Sequence, residues 1–248
     1  MIAEARVGTS GFAYREWIGS AYPRGLAASQ LLPFYAQRLA AVEIASTTSR
    51  LPTPEQLGEW AASVPPGFQF ALKVPSRICL DLANGKATAR AFGAFLEGTC
   101  DLGEHLGPVL FQLPDTVKAD RGALAHFLEQ MPEGLRLAFQ FGHPTWRDDA
   151  TLRLLSQFEA ALVLTDDGEG ASRIDLTAGF TYVRIRRNDD RPEGIAEWAE
   201  RLAVLTRRGV DVYAFLQHDR KGLAMERAMR LSSLLRTEYE AFEQPVLS

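Results

Sequence analysis

The chain is poor in the residues that would assign a function quickly. It has two cysteines, Cys79 and Cys100, in 248 residues. That excludes a disulfide framework and any Cys-x-x-Cys zinc site, and it fits a reducing compartment. There is no basic surplus: the formal net charge is −4. A protein that coats nucleic-acid phosphates usually carries the opposite balance, although a local basic patch stays open. No apolar run approaches the roughly 20 residues that span a bilayer. The opening "MIAEARVG" lacks the basic start and apolar stretch of a signal peptide. No Pro/Ser-rich linker divides the chain, and no internal repeat shows. The expectation is a cytoplasmic protein with a single domain over residues 1–248. An apolar share of 46% and a charged share of 23% are those of an ordinary globular chain.

What is present is a rhythm. Eight short apolar runs recur: "ARVGT", "AVEIAST", "FQFALKV", "GPVLFQL", "LRLAFQF", "AALVLTD", "FTYVRIR" and "DVYAFLQ". Between most of them lie stretches with apolar residues three and four apart, such as "PEQLGEWAASV", "ATARAFGAFLEGTC", "ATLRLLSQFEA" and "GIAEWAERLAVLTRR", and "AMERAMRLSSLL" closes the chain. That spacing predicts amphipathic helices. Pro65-Pro66-Gly67 and Pro132-Glu133-Gly134 break the chain just before the third and fifth runs. Eight strands alternating with helices predict an α/β fold, a single (β/α)8 TIM-type barrel. "DGEGASRIDLTAG" has little helical pattern, so the helix between strands six and seven is expected to be short or missing. A doubly wound open sheet is the alternative.

Strand parity points to a site. In "FQFALKV" the residues Phe68, Phe70, Leu72 and Val74 form an apolar face, opposite Gln69, Ala71 and Lys73. An all-apolar face must meet the helices, so the mixed face points into the barrel. Extended to every strand, this parity gathers Glu43, Lys73, Gln112, Gln140, Asp166, Arg184, Arg186 and Gln217 near the C-terminal strand ends. Active sites of barrels lie there. Two readings follow. Glu43 pairs with Lys73 and Asp166 with Arg184 as internal salt bridges, or the set meets a ligand. With both pairs made, Arg186 is left as a surplus cation, and such a site prefers an anion. The segment "GTSGFAYREWIGSAYP" adds small residues at the end of strand one, including Ser10, then Tyr14, Trp17 and Tyr22. It is either the wall of a site, with glycines admitting a ligand to the backbone, or an aromatic plug.

The same residues carry a resemblance. "GTSGFAYREWIGSAYP", "FYAQRLAAVEIASTTSRLP", "PPGFQFALKVP", "LGPVLFQLP", "FGHPTW", "YVRIR" and "FLQH" occur in order and look like the YecE-like family, domain of unknown function 72. The resemblance implies a TIM-type barrel and brings no established activity. The chain also departs from the family pattern. Ala45 stands where the family has Asn, Gln140 and Gly142 where it has a Glu and an Arg, Arg186 where it has a His, and Leu216 and Gln217 where it has two Asn. Glu43, Lys73, Gln112, His143, Trp146, Asp166 and Arg184 keep the family pattern.

The candidate catalytic groups are therefore Glu43, Asp166 and His143 as acids or bases, and Lys73 as an anion ligand or an amine nucleophile. The candidate ligand-binding groups are Ser10, Tyr14, Trp17, Gln112, Gln140, Trp146, Arg184, Arg186 and Gln217. No metal site is expected. His143 and His218 with Glu43 and Asp166 form no local ligand motif, and Lys73, Arg184 and Arg186 would repel a cation. No cofactor and no membrane partner are implied, and nothing speaks to oligomeric state. The expected partner is a small anionic or phosphate-bearing molecule. The alternative is single-stranded or damaged nucleic acid, with Arg186, Arg187 and Arg191 on phosphates and the aromatics stacking on bases.

Overall fold

The computed structural model describes residues 3–48, 51–83, 89–166, 174–186 and 192–243. Its strands are β1 (Ala5–Thr9), β2 (Ala41–Ile44), β3 (Gln69–Lys73), β4 (Leu106–Leu113), β5 (Leu137–Phe141), β6 (Ala161–Thr165), β7 (Phe180–Ile185) and β8 (Asp211–Leu216). They form one eight-stranded sheet in the order β1-β8-β7-β6-β5-β4-β3-β2. Strand β8 returns to pair in parallel with β1, from Ala5 beside Val212 to Thr9 beside Leu216. A doubly wound sheet keeps its first and last strands apart, so this pairing decides for the barrel. The protein is a (β/α)8 TIM-type barrel.

The helices are α1 (Leu31–Ala36), α2 (Pro54–Ala62), α3 (Ser76–Ala83), α4 (Ala89–Glu97), α5 (Arg121–Leu128), α6 (Asp149–Gln157), α7 (Pro192–Arg207) and α8 (Leu223–Glu243). Residues 174–179, which lead into β7, hold no helix, and residues 167–173 lie outside the described residues. Among the described residues, no helix is long and apolar enough to cross a membrane. Local chemistry starts the helices. Thr53 and Gln56 form a reciprocal capping box at α2, with Pro54 at the first helical position. Asp148 caps α6 by accepting the Thr151 N–H at 2.9 Å, and it also pairs with Arg121.

The Asp148 cap makes the first prediction. The backbone hydrogen bond from Thr151, helped by Arg121, holds the Asp148 carboxyl below its usual value. A depressed carboxyl stabilises the fold above the ordinary carboxylate range and loses that contribution as pH falls through the lowered value. Asp148→Ala should therefore lower the urea midpoint at pH 7, and its deficit against the wild type should shrink as pH falls below the ordinary carboxylate range. Equal midpoints at pH 7 would show that the cap contributes nothing.

By packing, the chain gathers into two compact units. One comprises residues 1–42, 165–172 and 179–248, and the other residues 43–164 and 173–178. In the first, β7, β8 and β1 run in register, with Arg184 beside Phe215 and Phe215 beside Gly8. Helices α7 and α8 bury Trp198, Leu202, Met225, Ala228 and Leu231. In the second, the register places Lys73 beside Leu110 and Gln112 beside Gln140. It also places Phe111 beside Phe139 on the opposite, apolar face. That face packs under α4 and α5: the Phe111 ring lies 5.1 Å from Phe92, 5.3 Å from Phe127 and 4.8 Å from Phe139. Burying such rings supplies much of the core's stabilisation. The β3–β4 pairing shifts register between Phe70 and Leu72.

Candidate functional site

The end of β1 is built around one tyrosine. The Tyr35 hydroxyl accepts the Thr9 N–H at 2.8 Å and donates to the Ala41 carbonyl at 3.0 Å. Burial pushes this phenol above its usual value, so it stays protonated. The Ser10 N–H donates to the Leu216 carbonyl at 2.9 Å. A ligand admitted to the backbone of the Gly8–Gly11 turn would therefore find the Thr9 and Ser10 amides already engaged. Both N–H groups are already satisfied within the fold, as buried amides must be. Gly8 is small for the protein's own sake: a Cβ there would lie 1.9 Å from the Ala41 carbonyl oxygen.

The aromatics that follow are mostly plug rather than wall. Trp17 and Tyr22 are 0% and 1% exposed. The Trp17 indole N–H donates to the Asp219 carbonyl at 2.7 Å, and the Tyr22 hydroxyl to the Phe12 carbonyl at 2.7 Å. Trp17 therefore presents no open surface in this fold. Tyr14 is half-buried and different. Its hydroxyl bonds the Ser10 carbonyl, and its ring covers the His218 imidazole at 3.8 Å.

Beside it opens a cleft of about 700 Å³, lined by Glu16, His218, Arg220, Lys221, Leu223 and Arg227, with Asp219 in its wall. Glu16 follows β1 and His218 follows β8, so the cleft stands at C-terminal strand ends, where barrels place their sites. His218 Nε2 lies 3.0 Å from Glu16 Oε1. Asp219 folds back over the start of α8 and accepts the N–H groups of Lys221, Leu223 and Ala224. A hydrogen bond from its own backbone holds the Glu16 carboxyl below its usual value, with His218 and Arg220 adding to the effect against partial desolvation. Sequence reasoning weighed His218 only as a metal ligand and missed Glu16, Arg220, Lys221 and Arg227. The signal available was the charged run "HDRK" directly after strand eight.

The other predicted residues fall as follows. Glu43 and Arg184 are 0% and 6% exposed. No buried side-chain nitrogen or oxygen among the described residues lacks a hydrogen-bond partner. Both side chains thus have partners inside the protein, as buried polar groups require. Asp166 meets Arg184 through the backbone, its N–H donating to the Arg184 carbonyl at 3.2 Å, and its carboxylate accepts the Trp198 indole N–H at 3.4 Å. Arg186 lies exposed just beyond β7. The expectation of a surplus cation there is corrected: Arg186 is engaged and not without a partner. Gln217 is exposed past the end of β8, with its N–H on the Ile185 carbonyl at 2.9 Å. In the other unit, Lys73, Gln112 and Gln140 are half-buried. The Lys73 carbonyl accepts the Thr47 hydroxyl at 2.6 Å. His143 caps the turn after β5, its Nδ1 accepting the Thr145 N–H at 3.1 Å. Trp146 is 3% exposed, stacks on Phe141 at 4.4 Å and donates to the Val117 carbonyl at 3.1 Å. Arg187 and Arg191 lie outside the described residues. Among the described residues no group of three or more His, Cys, Asp or Glu is placed to hold a metal ion.

The sequence profile described as "Protein of unknown function DUF72" matches residues 6–248. The chain belongs to this family. A DUF72 protein of Thermotoga maritima is 26% identical, with a TM-score of 0.81 over 94% of this chain and 99% of that one. A DUF72 protein of Enterococcus faecalis is 20% identical, with a TM-score of 0.75 over 94% and 95%. A methyltransferase from Methanosarcina mazei shares the fold alone, at 10% identity and a TM-score of 0.52 over 96% and 94%. No curated protein matches. DUF72 membership accounts for the ordered motifs from "GTSGFAYREW" to "FLQH". The family description assigns no chemistry to the β8 cleft.

Proposed function

We propose that this DUF72 chain binds a small phosphate-bearing anion at the C-terminal strand ends, in the cleft after β8. One observation carries the reading. Arg220, Lys221 and Arg227 line the cleft, while its two carboxylates are committed elsewhere, Asp219 to the first amides of α8 and Glu16 to His218. Arginine suits the task, because its planar fork holds two phosphate oxygens at once. Base stacking, which a single-stranded nucleic acid needs, has less support, since Trp17, Tyr22 and Trp146 are buried.

Calorimetry with inorganic phosphate tests the reading. A charge-assisted hydrogen bond contributes about 1.5–3 kcal/mol, so Arg220→Gln should weaken binding roughly tenfold or more. Wild-type protein that takes up no phosphate, or a variant of unchanged affinity, would overturn it. A short single-stranded oligonucleotide that binds far more tightly than phosphate, with affinity falling steeply in salt, would move the function to nucleic acid.

A further inference from the structure

We infer that His218 is a general base and that the β8 cleft hydrolyses small phosphate monoesters, an inference that rests on the anion site proposed above. Glu16 Oε1 lies 3.0 Å from His218 Nε2, and a carboxylate accepts, so the neutral ring carries its proton on Nε2. The lone pair is then on Nδ1, for which no hydrogen bond occurs among the described residues. A base whose far nitrogen is fixed by a carboxylate, and whose near nitrogen stays available, is the arrangement that activates a hydroxyl or water.

The ring is also held in place. The imidazole lies 3.8 Å from the Tyr14 ring and 5.7 Å from the Trp17 ring, nearly parallel to the latter. Trp17 is itself fixed by its hydrogen bond to the Asp219 carbonyl, and Tyr14 by its bond to the Ser10 carbonyl. A surface histidine needs none of this. A catalytic one does, because a base contributes only when held within reach of its proton. Arg220, Lys221 and Arg227 suit the dianion of a monoester, and Glu16 stabilises the imidazolium that forms.

The step balances with water as the only co-reactant. Nδ1 takes a proton from a water molecule as the water oxygen bonds to phosphorus. The phosphorus–oxygen bond to the alcohol breaks, and its electron pair leaves with the alkoxide, which is protonated from solvent. The imidazolium returns its proton to solvent. Ester and water have become alcohol and phosphate.

The test follows phosphate release from para-nitrophenyl phosphate and glycerol phosphate, beside calorimetry with inorganic phosphate. A general base contributes about 10²–10⁴-fold, so His218→Asn should lower kcat/KM by that factor while keeping its affinity for inorganic phosphate. Glu16→Gln should cost less. A wild type that binds phosphate but releases none from either ester overturns this inference and leaves the anion site standing. So does His218→Asn with an undiminished rate. Failure to bind phosphate at all removes both.

Discussion

Phe111→Ala should lower the stability of the protein by about 3–5 kcal/mol, the usual cost of deleting a large ring from a packed core. Phe111 is fully buried on β4, and three rings close on it from three elements: Phe92 of α4, Phe127 of α5 and Phe139 of β5. Phe139 is tied to the β5 ladder and stacks in turn against Phe141 at 6.0 Å, so it has little freedom to fill the void. Phe92 and Phe127 also touch each other, at 5.6 Å, and already use their edges. A site that cannot collapse bears the full cavity term. Urea unfolding followed by circular dichroism measures the loss. A deficit below about 1 kcal/mol would mean that the cluster repacks and that the rings are not close-fitted.

The strands were legible for a physical reason. A barrel strand is buried on both sides, so it reads as a short apolar run bounded by breakers, and each of the eight runs became a strand. Two helices were not legible. Helix α1 is six residues long with Pro33 inside it, and α3 is eight residues long. Helix α1 is too short to repeat an apolar period. Helix α8 runs from Leu223 to Glu243, past the stretch that its apolar pattern marks.

The site was legible in part, and the part that failed has one cause. Parity along a strand is a local property, and the register bears it out where Gln112 stands beside Gln140 and opposite the Phe111 face. Burial of a loop aromatic is not local. Trp17 reads as exposed among Arg15, Glu16 and Gly19, yet its indole is capped by a carbonyl 202 residues away. The Glu16–His218 pair spans the same distance. The surplus-cation argument for Arg186 does not hold either, because Arg186 is engaged within the fold. The cations that line the cleft sit in the β8–α8 loop and the first turns of α8, where no parity applies.

The Gly8-Thr9-Ser10-Gly11 turn at the end of β1 carries the second large effect. Gly8→Ala should destabilise the protein by about 3 kcal/mol or more, at or above the usual range for overpacking. The new Cβ would lie 1.9 Å from the Ala41 carbonyl oxygen and 2.7 Å from its carbon. Both are backbone atoms, so no rotamer change relieves the contact, and β1 would have to draw away from Ala41. That movement also strains the Tyr35 hydroxyl, which bridges Thr9 and Ala41. Two comparisons separate this collision from the general effect of losing a glycine. Gly58→Ala lies within α2, where a Cβ meets nothing within 4 Å, and it should raise stability by about 0.5–1 kcal/mol through helix propensity. Gly8→Ala combined with Tyr35→Phe should recover none of the loss, because the hydroxyl, at 3.1 Å from the new Cβ, is the lesser contact. Recovery in the double variant would place the strain on Tyr35 instead. A Gly8→Ala protein as stable as the wild type would show that β1 has room to shift, and that the glycine is free to serve something other than the close approach of two backbones.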